Sequence, residues 1–279
     1  MKDSLSPDSY IFAYFSRIGK PTKQSFVGMS GRYDNVSLLI GPKAAQRVVI
    51  GVQYSPPKGD AEQLWNPSGV AALLEVARVL SANQDKLPVA VELVAYATAG
   101  MAANGTLDMG SFYHAKALKQ AKVDLQLMLT LGSVGYYLNT AESQRYPFSF
   151  MRMLYPDKAN FISLSSRLND FSAMRSVKHS FSRVSALPLE SISAPESFPL
   201  IGGSDHDNYW AYDFPALQIS DLLEYRLPDS QVTEPIVLDY RKMALVVQAL
   251  YQTVLDRKSV GAESSLFAKL FDRVAALFK

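Results

Sequence analysis

Cysteine is absent from this 279-residue chain. That removes disulfides, thiol catalysis, thiolate metal sites and iron–sulfur clusters together, and leaves the redox compartment open. Histidine is scarce, with His114, His179 and His206 the only three. That is an awkward stock for a zinc enzyme, because imidazole is the commonest nitrogen ligand. Neither sign of charge is in excess: 28 Lys plus Arg against 26 Asp plus Glu leave a net +2. The footprint of a nucleic-acid binder is therefore missing, as is a strong pull toward an acidic membrane surface. No apolar run is long enough for a bilayer; the richest, 89–103, is broken by Glu92 and Gly100. The opening MKDSLSPDSY has no basic start followed by an apolar run, so no signal peptide is read there. That fits a cytoplasmic chain or one that begins after a removed targeting segment. Phosphate-binding G-x-x-x-x-G-K-[ST], dinucleotide-binding G-x-G-x-x-G, the G-x-S-x-G elbow and H-E-x-x-H are all missing.

Apolar residues make up 48% and charged residues 19%, which predicts a sizeable core and excludes wholesale disorder. Strand-like and helix-like segments alternate. NVSLLIG (35–41) and RVVIGVQY (47–54) read as strands, and the unbroken apolar character of RVVIGV predicts burial on both faces. Asn66 can cap the next helix, Pro67 suits its first position, and Val70, Leu73, Leu74, Ala77 and Leu80 recur at helical spacing. VAVELVAY and DLQLMLTL (124–131) read as further strands flanking a helix over 107–121, and ALQISD (216–221) as a short one. Helices are predicted over 158–175 and 235–257, the latter with Tyr240, Ala244, Val247, Leu250, Tyr251 and Val254 on one face. Residues 186–204 read as an extended loop. The pattern predicts a single three-layer α/β domain over 1–258, with a mostly parallel central sheet and helices on both faces. A linker and an amphipathic helix follow over 259–279, with Leu266, Phe267, Leu270, Phe271, Val274 and Phe278 on one stripe. Packing on its own domain is preferred for that stripe, then a protein partner, then lipid.

Four segments in order resemble the zinc-dependent exopeptidase (aminopeptidase) family, which includes the glutaminyl cyclases and transferrin-receptor-like ectodomains. They are NVSLLIG with RVVIGVQYS, WNPSGVAALLEVARVL, LVAYATAG with GSFYHAKAL, and GGSDHDNYWAYDFPALQISD. The resemblance runs from about Tyr10 to Arg257 and implies the family's fold. It also implies a degenerate site. The family's first His and Asp fall at Gln53 and Ser55, and its bridging carboxylate at Trp65. The glutamate pair falls at Ala99 and Gly100, the next aspartate at or near Gly132, and the final His at Arg226. Zinc needs N, O or S donors at about 2.0–2.3 Å. Trp, Ala and Gly side chains supply none, Gln is a poor neutral ligand, and Arg places a permanent positive charge where a dication would sit.

Ser204, Asp205 and His206 read either as a remaining cleft wall or as a loop-to-helix cap in which Ser204 or Asp205 accepts from following N–H groups; the cap is preferred. A residual cleft would comprise Asp205, His206, Tyr209 and Trp210. Tyr136, Tyr137, Phe214 and Tyr225 could join it, with aromatic core packing the default. Asp60 and Glu62 read as a solvated loop, His114 as a structural residue on an outer or half-buried helix face, and His179 as part of a strand-like SVKHSF. The expected function is a non-catalytic relative of the aminopeptidases that binds a protein or peptide, without cofactor, metal, nucleic acid or membrane span. The alternative is a divergent peptidase or amidohydrolase with a relocated metal or metal-free chemistry, and a purely structural subunit is a third reading. The resemblance implies a periplasmic or extracytoplasmic setting; the oligomeric state is not read.

Overall fold

The run RVVIGV lies at the centre of the sheet. In the computed structural model, which describes residues 6–28, 31–43, 46–54, 66–98, 109–226 and 237–257, strand β3 (Gln46–Tyr54) pairs in parallel with β4 (Ala90–Ala97) and β5 (Asp124–Leu131). Alternate residues face two separate cores. Val48, Ile50 and Val52 join one cluster, and Val49 joins the other with Val94 and Tyr96 of β4. Burial on both faces explains why the strand is apolar without alternation.

Five more strands complete an eight-stranded mixed sheet: β1 (Thr22–Gly28), β2 (Gly31–Ile40), β6 (Ile162–Arg167), β7 (Leu189–Ala194) and β8 (Ala216–Ser220). The order is β1-β2-β4-β3-β5-β8-β6-β7. β5 pairs in parallel with β8, and β6 with β7, but β8 and β6 are antiparallel, as are β1–β2 and β2–β4. The reversal at β6 brings Phe161 to the end of the sheet where β5 and β8 finish.

One face carries α1 (Pro7–Ser16), α2 (Pro67–Ala82), α4 (Phe171–Val184) and α6 (Tyr240–Leu255); the other carries α3 (Gly110–Gln120) and α5 (Asp205–Trp210). α2 starts as its sequence dictates: Asn66 Oδ1 accepts from Gly69 N at 2.9 Å and Pro67 opens the helix.

Several expectations are corrected. Residues 158–175 are not a helix. They hold β6, whose Ser163, Ser165 and Ser166 are buried, then a 3-10 turn, and α4 begins only at Phe171. His179 lies on α4, where Met174, Val177 and Phe181 give the helical spacing of the buried face, rather than on a strand. The segment 186–204 contains β7, a half-buried strand with no apolar alternation to betray it. α6 begins at Tyr240, capped by Asp239 accepting from Lys242 N at 3.0 Å. Its buried face is Met243, Val246, Val247, Leu250 and Val254, so Tyr240 and Ala244 are exposed. α1 and β1 were not anticipated. The amphipathic tail over 259–279 lies outside the described residues. Among the described residues no helix is long and apolar enough to cross a membrane.

Candidate functional site

The carboxyl ends of β3, β4, β5 and β8 converge where open α/β sheets gather their ligands. At that mouth stand Gln53, Thr98, Gly132, Ser133, Asp221 and, from the turn after β8, Arg226. Each is engaged by a neighbour rather than left pointing outward.

Gln53 Nε2 donates to Thr98 Oγ1 at 2.6 Å, tying β3 to β4. Gly132 has no room for a side chain, because a Cβ there would lie 2.8 Å from Ser220 Oγ. Asp221 is fully buried and its carboxylate accepts from Ser133 Oγ at 2.7 Å and from the backbone N–H groups of Gly135 and Tyr136, both at 2.8 Å. Burial pushes its carboxyl up from the ordinary value, against the pull of Ser133, the amides and the Arg226 charge.

Arg226 is 3% exposed. Its guanidinium donates from Nε to Gln144 Oε1 at 2.9 Å, from Nη1 to Tyr136 O at 2.5 Å and from Nη2 to Phe161 O at 2.7 Å. The cation also lies 5.1 Å from the Phe161 ring and 5.4 Å from the Tyr137 ring. A planar fork that meets three acceptors and two rings is occupied as a fastening group. Gln144, itself buried, was not singled out in the sequence, and nothing in its local pattern marks it.

On the opposite face a second polar network runs from the half-buried Arg47 and Glu92 into the core. Arg47 Nη1 pairs with Glu92 Oε2 at 2.7 Å, and Glu92 Oε1 lies 3.3 Å from His114 Nε2. His114 Nδ1 meets Tyr209 OH at 2.6 Å, which meets Tyr96 OH at 2.6 Å. His114 is thus buried on α3, inward of the outer or half-buried face expected for it. Burial raises the Glu92 carboxyl, but the hydrogen bond and charge of His114 and the charge of Arg47 prevail and hold it down to about 2.

Asp205, His206, Tyr209 and Trp210 are all buried in this layer. Asp205 Oδ2 accepts from Thr130 Oγ1 at 3.4 Å, while its Oδ1 has no hydrogen-bond partner. Desolvation pushes Asp205 up to about 7 despite Ser111 and Thr130. His206 Nε2 donates to Ile201 O at 2.5 Å, and burial lowers its basicity. The cap predicted for Ser204 or Asp205 is not made by either. Instead Asp207 Oδ2, inside the helix, accepts from Gly203 N at 2.7 Å. Tyr209, Trp210 and Phe214 pack in the core, whereas Tyr136, Tyr137 and Tyr225 are half-buried around the mouth. Ser55, Asp60, Glu62, Trp65, Ala99 and Gly100 lie outside the described residues. Among the described residues no group of three His, Cys, Asp or Glu is placed to hold a metal ion.

No family model matches the chain. It is 35% identical over 263 residues to the uncharacterized protein YfbL of Escherichia coli (strain K12), covering 89% of this chain and 79% of that protein. Among solved structures it is similar to LapB of Legionella pneumophila, with a TM-score of 0.63 and 17% identity, covering 88% of this chain but only 63% of that one. It is also similar to the glutaminyl cyclase of Bacteroides thetaiotaomicron bound to N-acetylhistamine, with a TM-score of 0.61 and 14% identity over 89% and 88% of the two chains. A Zn-dependent exopeptidase from Parabacteroides distasonis matches with a TM-score of 0.58 and 13% identity over 89% and 88%. The fold is therefore that of the zinc exopeptidases.

Proposed function

This chain belongs to the same family as Escherichia coli YfbL and has the zinc-exopeptidase-like fold; on that footing we propose that it is a non-catalytic member of the fold that binds a protein or peptide. The observation that carries the reading is Arg226. At the position that the resemblance matches to the family's final His ligand, its guanidinium is buried and donates to Gln144, Tyr136 and Phe161.

The described mouth residues do not fit zinc. The Gln53 amide is committed to Thr98, Gly132 has no space for a carboxylate, and Asp221 is consumed by one hydroxyl and two amides. The buried guanidinium adds charge repulsion against a dication. Without a bound metal, no water is brought to a pKa near neutrality by this route. In this reading the polypeptide lies across the mouth, where Tyr136 and Tyr225 are half-buried.

Two measurements test this. Protein reconstituted with zinc, freed of excess and analysed for metal, is expected to retain well below one equivalent and to release no chelator-sensitive product from aminoacyl anilides. Stoichiometric zinc with chelator-sensitive turnover refutes the reading. Selection from a random peptide library is expected to return binders that compete for one surface, and a failed selection removes the binding half of the proposal.

A further inference from the structure

Beside the mouth, a small cavity of about 10 Å³ opens between the start of β6, the start of β7 and the 132–160 excursion. Its walls include Tyr146, Tyr155, Met151 and Phe161, and Glu190 lines it beside Ser163, Ser191, Ile192, Leu200 and Leu222. Three observations converge on it. First, Glu190, opposite Ser163 in the β6–β7 register, is half-buried and has no hydrogen bond or ion pair among the described residues. The cation that acts on it, Lys178, is held instead on Ser191 Oγ at 3.0 Å. Desolvation raises the Glu190 carboxyl, with only the Lys178 charge opposing it. Second, two tyrosine rings with centroids 5.9 Å apart border the same space, and Glu190 acts electrostatically on both hydroxyls. Third, Leu200 and Leu222 are held at φ 79° and 58°. That left-handed conformation is an outlier for bulky side chains, and such strain persists where the surroundings enforce it.

We propose that this cavity is a binding site for a primary ammonium group carried on an alkyl chain. A half-buried carboxylate without a donor takes a cation with N–H groups, and aromatic faces attract the same charge. The volume admits about one water-sized group, which suits –NH₃⁺ and excludes a trimethylated head. A cavity of that size holds the ammonium head alone, so the alkyl stem leaves through its opening. The site does not depend on how the mouth itself is used, although Phe161 borders both.

The test follows Met151, which lines the cavity, through its ¹³C-methyl resonance in the full chain, assigned with Met151→Leu. The probes are n-butylammonium, Nα-acetyl-lysine methylamide, n-butyltrimethylammonium and n-butanol. Saturable shifts are expected with the first two, and affinities at least about ten-fold weaker, a difference of about 1.4 kcal/mol, with the last two. Whichever ammonium carrier binds tighter distinguishes a free amine from a peptide lysine; saturation by either supports the site. Glu190→Gln is expected to lose at least about ten-fold in affinity while the Met151 resonance of the unliganded protein stays dispersed, showing an intact fold. Equal response to butanol and butylammonium, no saturation by any probe, or unchanged affinity in Glu190→Gln overturns the proposal.

Discussion

Replacing Arg226 with alanine is the sharpest perturbation of the mouth. The substitution strips donors from Gln144 Oε1, Tyr136 O and Phe161 O, and removes the cation near the Tyr137 and Phe161 rings. Hydrogen bonds to charged groups contribute about 1.5–3 kcal/mol each, but their losses are not additive. Removing one partner of a buried charged cluster costs about 3–5 kcal/mol, and that is the expected loss here. At about 2–4 °C per kcal/mol for a domain of this size, the melting temperature falls by roughly 10 °C. Arg226→Lys keeps the charge but cannot reach three diverging acceptors with one ammonium, so about half of the loss is expected to remain. Urea melts followed by circular dichroism give the free energies and thermal scans give the midpoints. A loss below about 1 kcal/mol in Arg226→Ala would refute the reasoning, because a side chain held for ligand contact is removed cheaply or even with a gain in stability.

Three further outcomes follow from the buried groups. Asp205 titrates near 7 in the folded protein against an ordinary value of 3.8. Its contribution is complete below 3.8 and is lost as pH rises through about 7, a swing of about 4 kcal/mol at 1.36 kcal/mol per pKa unit. Asp205→Asn is therefore expected to be the more stable form above pH 7 and to flatten the wild-type decline between pH 4 and 7 in urea melts. Glu92 behaves oppositely: held at about 2 against an ordinary 4.5, it stabilises the fold above 4.5 and loses that as pH falls through 2. Glu92→Gln should cost about 3 kcal/mol at pH 7, with the gap to wild type closing in melts near pH 2. Gly110→Ala places a Cβ on Asn35 Oδ1, which itself accepts from Ala97 N at 3.1 Å. A loss of about 1–3 kcal/mol is expected, as for other overpacked sites, and an unchanged thermal midpoint contradicts it.

The sheet was legible wherever burial imposed a period on the sequence. RVVIGV, VAVELVAY and DLQLMLTL are buried on both sides, and their apolar continuity announces it; Asn66 and Pro67 announce α2 by chemistry that needs no tertiary context. β6 and β7 were not legible, because ISLSSR buries three serines, Ser166 meeting Ser193 of the neighbouring strand, and β7 is half-buried along its whole length. The same limit governed the mouth. Arg226 could be matched to its position, but its acceptors come from residues 65 to 90 positions away, and no local pattern encodes such a meeting. His114 looked like an ordinary helix residue because its partners, Glu92 and Tyr209, lie on separate elements.

The grip of Arg226 on residues 136, 144 and 161 also decides how the 132–160 excursion would respond to a protease. Met153 and Leu154 are 87% and 70% exposed, so the bond between them is open to attack. Both stumps of a chain cut there would still be clamped by one guanidinium, Gln144 upstream of the cut and Phe161 downstream. The nicked protein should run as two fragments under denaturing conditions and as one particle under native ones.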